Sequence, residues 1–143
     1  MIALLQNHLL ISSLAAWLAA QVIKTILYFV VNKTLDWHRL FGDGGMPSGH
    51  SATVTALAVT AALDEGLGSP LFAVSGILAV IVMHDAMGVR LEAGKHAKAI
   101  NELMGMLAGD SKPEEALKEF LGHTPLQVFF GALLGLVIAL LLR

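Results

Sequence analysis

Between Leu9 and Val31 the chain carries a single charge, Lys24, in an apolar run broken otherwise only by Ser12, Ser13, Gln21 and Thr25. About 20 such residues suffice to cross a bilayer core as a helix. Three further apolar runs follow, from about Ser48 to Leu63, Pro70 to Met87 and Leu126 to Leu142. A segment in lipid must satisfy its backbone polar groups internally, so these runs predict helices. Composition excludes the soluble alternative: 56% of the chain is hydrophobic and 14% charged, against about 25% charged in ordinary soluble domains. The same numbers exclude disorder. The absence of cysteine excludes disulfides, thiolate metal sites and a cysteine nucleophile. A net charge of −2 provides no basic footprint for nucleic acid.

The expected fold is therefore all-α: an integral membrane helical bundle of about four transmembrane helices plus cytoplasmic amphipathic helices, with residues 1–143 forming one domain. The first span lacks the basic start and small-residue cleavage site of a signal peptide and is expected to be retained. The second is rich in alanine and threonine, which suits a helix packed among others. Asp64 to Ser69 forms an acidic turn, and Pro70 stands where proline is favoured, in the first helical turn. Gly88 to Gly122 holds much of the charge and reads as two amphipathic helices, Ala93 to Leu107 and Pro113 to Leu121, the latter after the cap signal Asp110-Ser111. Four crossings put this segment and the connector Asn32 to Pro47 on one side of the membrane. Seven basic residues lie there (Lys33, Arg39, Arg90, Lys95, Lys98, Lys112 and Lys118), with only Arg143 opposite. The positive-inside rule then predicts both connectors in the cytoplasm and both termini outside, and the expected location is a bacterial-type plasma membrane.

The few polar residues in the spans converge on that predicted cytoplasmic end. Lys24 lies about two turns from the end of the first span, where it either snorkels to headgroups or serves a buried anion. Gly44-Gly45-Met46-Pro47-Ser48-Gly49-His50-Ser51 delivers Ser48, Gly49 and His50 to a helix start. Free N–H groups and the helix dipole make such a start an anion site. Arg90 follows the third span and can grip a phosphate bidentately, with Asp85 placed to orient it or a neighbouring base. His123 opens the fourth span, one turn before Gln127 on the same face. Two cations, a helix N-terminus and two imidazoles form a set fit for phosphoryl transfer: phosphate-binding groups, a nucleophile and a general acid.

These residues resemble the type 2 phosphatidic acid phosphatase superfamily, and most closely its divergent branch related to acid phosphatases and vanadium haloperoxidases. The superfamily carries KxxxxxxRP, PSGH and SRxxxxxHxxxD on a helical bundle; Pro47-Ser48-Gly49-His50 is an intact second motif. Gly44 to Ala52, His84 to Arg90 and Leu121 to Val128 match the divergent branch in order and spacing. The resemblance implies that His50 protonates the leaving alkoxide while Lys24, Arg90, Ser48 and Gly49 hold phosphate oxygens. It also implies a histidine nucleophile, for which there are two candidates. Arg90-x5-His96 keeps one half of the third motif but ends at Ile100 where aspartate belongs, whereas His123-x3-Gln127 keeps the other half with glutamine for the acid. His123 is preferred because it begins a membrane helix, while His96 sits between Lys95 and Lys98 on an amphipathic segment. The first motif also departs: the residue seven beyond Lys24 is Val31, so only Arg39, by another backbone path, stands in for its arginine.

The expected activity is hydrolysis of a lipid phosphomonoester, of the phosphatidylglycerophosphate or phosphatidic acid class, through a phosphohistidine and without metal or cofactor. The expected partners are the lipid substrate, membrane lipids and, through small residues of the second span, a second copy of the chain. Isoprenoid phosphate hydrolysis and non-catalytic binding or transport of anionic lipid are the alternatives. A metal-assisted reading through Asp85, Glu92 and histidines lacks a tight carboxylate cluster.

Overall fold

The computed structural model describes residues 6–34, 45–108, 116–117, 119 and 121–143. They form an all-helical membrane bundle of α1 (His8–Asn32), α2 (Gly49–Glu65), α3 (Pro70–Met87), α4 (Val89–Ala108) and α5 (Pro125–Leu141). Each start has a sequence cause. The side chains of Asn7, Ser48, Ser69 and Thr124 accept backbone N–H bonds as N-caps of α1, α2, α3 and α5, and Pro70 and Pro125 occupy first-turn positions. Two stretches, His8–Asn32 and Pro70–Leu107, are long and apolar enough to cross a membrane, and Pro125–Leu141 is a shorter apolar helix.

What is buried is small, and what is exposed is large and apolar. Ala16, Ala20, Ala52, Ala56 and Ala139 make the centre of the core, while Leu14, Leu18, Val74, Ile77, Ile81 and Leu133 face outward. In water that arrangement would be an aggregation surface. In lipid it is the expected one, since outward side chains meet hydrocarbon and association comes from close backbone packing of small residues. The central helix is α2, in contact with α1, α3 and α5, which accounts for its low bulk. Within this dry interior Ser12 and Thr60 satisfy each other at 2.7 Å, and the hydroxyls of Ser13 and Ser75 donate to carbonyls one turn back, Leu9 and Leu71.

Helices α1 and α3 run opposite to α2, and α5 runs alongside it. His8 at the start of α1 meets Asp64 at the end of α2, while Ser48 at the start of α2 donates its N–H to the Gln127 carbonyl in the first turn of α5 at 3.0 Å. Two glycines allow α2 and α5 to approach this closely: a Cβ on Gly131 would overlap the Ser48 carbonyl, and one on Gly135 the Ala52 carbonyl.

The amphipathic segment differs from expectation. Helix α4 begins at Val89 rather than Ala93, because only Gly88 separates it from α3. The expected second helix, Pro113 to Leu121, falls largely outside the described residues, as does its cap signal; Ala116, Leu117, Glu119 and Leu121 are not helical. The reason is a tertiary contact. Asn101 of α4 takes both the N–H and the carbonyl of Leu117 with its side-chain amide, each at 2.9 Å, and its amide also donates to Glu119 Oε1. An amide pairing of this kind uses the groups a helix would need. On the exposed face of α4, the hydrogen bond from Lys95, and then its charge, hold the Glu92 carboxyl below its ordinary range.

Candidate functional site

The ends of α1 and α3 and the starts of α2 and α5 meet at one end of the bundle. His123 lies there, 2% exposed, at the exit of a loop pinned on both sides. Its N–H donates to the Ala86 carbonyl at the end of α3 at 2.8 Å. The preceding Gly122 has φ +82 and lies so close to the Arg90 and Leu91 backbone that a Cβ would overlap it. Only glycine meets both conditions.

The imidazole of His123 has a defined tautomer. Thr124 and Gln127 form a capping box at the start of α5, in which Gln127 Oε1 accepts the Thr124 N–H at 3.0 Å. A backbone N–H is always a donor, so the atom it meets is the amide oxygen. The same oxygen lies 3.2 Å from His123 Nδ1, which must therefore carry the proton. In the neutral ring this leaves the lone pair on Nε2. That nitrogen faces His50 Nδ1 at 3.5 Å, with the rings edge to face and 5.7 Å between centroids. A lone-pair nitrogen beside a second imidazole supplies the two groups that nucleophilic attack and proton donation need.

His50 projects from the first turn of α2. Ser48, the cap of that helix, is fully buried, and its Oγ accepts from the Ser51 N–H at 3.3 Å and the Ser51 hydroxyl at 3.0 Å. Its hydroxyl thus organises the helix start rather than facing outward. Lys24 bends toward this start instead of toward the headgroups: its stem passes Gly45, and a Cβ on Gly49 would lie 3.6 Å from Nζ. An ammonium therefore stands beside the N-terminal turn of α2, adding a full charge to the partial charge of the dipole.

Arg90 and Asp85 pair with each other, Arg90 Nε donating to Asp85 Oδ2 at 2.7 Å with both side chains substantially exposed. Asp85 orients Arg90, and Gln127 is the side chain bonded to His123 Nδ1. His96 is exposed on α4. Arg39 lies outside the described residues. Among the described residues no three histidine, aspartate or glutamate side chains gather to hold a metal ion. The structure thus brings Lys24, Ser48, Gly49, His50, His123 and Gln127 to one place, with the Arg90–Asp85 pair on the adjoining helix junction.

Several contributors do not stand out as chemistry in the sequence. Ser51 and Thr124 act through capping, and Thr124-x-x-Gln127 is legible as a capping box. Gly131-x3-Gly135 has the small-residue spacing of a membrane helix contact. The Ala86 carbonyl has no sequence signature at all.

The sequence matches the divergent PAP2 family over residues 5–138. It is 48% identical over 151 aligned positions to YuiD, an uncharacterized membrane protein of Bacillus subtilis (strain 168), with 97% of this chain and 96% of the relative covered. No solved structure matches it.

Proposed function

Since the chain belongs to the divergent PAP2 family, we propose that it is a lipid phosphate phosphatase of the phosphatidic acid or phosphatidylglycerophosphate class, working through a phosphohistidine on His123. The observation that carries this reading is the Gln127–His123–His50 line, in which Nδ1 of a buried imidazole is held by an amide oxygen and Nε2 faces a second histidine. His123 Nε2 forms a bond to phosphorus as the bond from phosphorus to the lipid oxygen breaks, and protonated His50 gives its proton to that oxygen. Water then attacks phosphorus, the P–N bond breaks, and His50 recovers a proton from the water. Lys24 and the N–H groups of the α2 start neutralise the phosphate oxygens, with Arg90 contributing from the α3–α4 junction. Ser48 acts as the cap that shapes this start.

The separation of the two rings bears on substrate entry. In-line attack begins with about 3 Å between nucleophile and phosphorus, and the proton donor needs a further hydrogen bond of about 2.7 Å. A 3.5 Å gap cannot contain both, so His50 turns aside when substrate enters. Gln127 fixes the tautomer but cannot neutralise an imidazolium as a carboxylate does, which predicts slow turnover. The excess of basic residues in the two connectors supports a site at the cytoplasmic face with both termini outside.

The test is phosphate release from phosphatidic acid by purified protein in EDTA, with rapid base quenching to trap phosphoenzyme. Release should persist in EDTA and be blocked by vanadate. His123→Ala should lose both turnover and the base-stable, acid-labile phosphate, and His96→Ala should retain both. Activity abolished by chelation and restored by Mg²⁺ would reject this mechanism.

A further inference from the structure

Two clefts adjoin the site, and they meet. One, of about 240 Å³, is lined by Lys24, Leu27, Tyr28, Val31, Asn32, Gly45 and Met46. The other, of about 310 Å³, is apolar and lies between α1 and α5, lined by Leu27, Phe130, Leu134 and Val137 together with Met46 and Pro47. Leu27 and Met46 belong to both. Pro47 immediately precedes Ser48, Gly49 and His50, so the apolar cleft begins where the phosphoryl-transfer groups are. From Phe130 to Val137 it follows α5 away from that end for roughly 10 Å, at about 1.5 Å per residue.

We infer that the α1–α5 groove holds an acyl chain of the same lipid whose phosphate is neutralised by Lys24, an inference that rests on the phosphatase reading above. A hydrocarbon path leading from the cleft that holds Lys24, along an apolar helix, has the shape of a phosphate head joined to one acyl chain, with the head at the site and the tail in the bilayer. Leu27, Phe130, Leu133 and Val137 are exposed, so the groove opens sideways to lipid and the chain enters without leaving hydrocarbon. A helix of another protein is about 10 Å or more across, too wide for a cleft of this volume, whereas one chain fits. The groove therefore makes the enzyme selective for phosphates that carry a long chain, and head and tail are read by adjacent parts of α1.

The experiment is photo-crosslinking in proteoliposomes with phosphatidic acid bearing a diazirine midway along one acyl chain, the adducts being located by mass spectrometry. The exposed face of α3, with Val74, Ile77 and Ile81, reports contact with bulk lipid. Adducts should concentrate on Phe130, Leu133, Leu134 and Val137 above the α3 level and be displaced by unlabelled phosphatidic acid. Phosphatidylcholine with the same label should give the α3 level on both faces. Lys24→Ala should weaken the groove labelling by about ten- to a hundredfold, as loss of a charge-assisted bond does. Val137→Trp, at an exposed position, should block the deep adducts while leaving those near Phe130. Equal labelling of the two faces, an unlabelled groove, or stronger labelling by a diazirine prenyl phosphate would overturn the inference. Crosslinking needs no turnover, so groove labelling without phosphate release would reject the phosphatase reading alone, and release without groove labelling would reject this inference alone.

Discussion

Replacing Gly131 with alanine tests the contact that holds the two site helices together. An added Cβ would overlap the Ser48 carbonyl and lie 3.0 Å from Ser51 Cβ and 3.1 Å from the Ser48 carbonyl carbon. Ordinary carbon contacts are about 3.5–4.0 Å, so α5 must retreat from α2 by roughly an ångström. Overpacking of this kind costs about 1–3 kcal/mol. The retreat also stretches the 3.0 Å bond from Ser48 N–H to the Gln127 carbonyl, worth about 0.5–1.5 kcal/mol. Against this, alanine is the better helix former by about 0.5–1 kcal/mol. The balance is a destabilisation of about 1–3 kcal/mol. Gly76→Ala in α3 is the matched control: nothing lies within 4 Å of its added Cβ, so only the propensity gain of about 0.5–1 kcal/mol remains. Reversible unfolding by SDS in mixed micelles should place the Gly131 variant below wild type and the Gly76 variant at or above it. If both unfold together, the close approach of α2 and α5 at Ser48 is wrong, and with it the placement of His50 against His123.

Four other outcomes are expected. Gln127→Leu removes the oxygen that holds His123 Nδ1 and should reduce phosphate release by a factor on the order of 100 to 10,000, as loss of a tautomer lock does; Gln127→Glu, which keeps the acceptor and adds charge, should not. His50→Ala should lose about 100- to 10,000-fold on a lipid phosphate and recover partly on an ester with a better leaving group, whereas His123→Ala should not recover. Asn101→Ala should speed amide hydrogen exchange at Leu117 and its neighbours while lowering global stability by no more than about 1.5 kcal/mol, since the bonds it removes are largely exposed. Single cysteines at His38 and Asp110 should resist an impermeant thiol reagent in intact cells while one at Leu67 is labelled; the opposite pattern would invert the topology.

The helices and their class were legible from the sequence because membrane insertion is a local constraint. A run such as Leu9 to Val31 must satisfy its own backbone bonds whatever surrounds it, and caps such as Ser69-Pro70 act within one turn. Pro47-Ser48-Gly49-His50 was legible for the same reason, being contiguous. The segment after α4 was not, because Asn101 takes the backbone groups of Leu117 from sixteen residues away, and no local pattern announces such a contact. Pairing of His50 with His123, seventy-three positions apart, required the fold as well. It depends on glycines 131 and 135 letting α5 lie against α2, and on Ala86 anchoring the loop before His123. Sequence placed the polar groups at one end of the bundle; only packing of small residues decided which of them touch. Close contact between helices is set by the shape of both surfaces at once, and each sequence segment describes one of them.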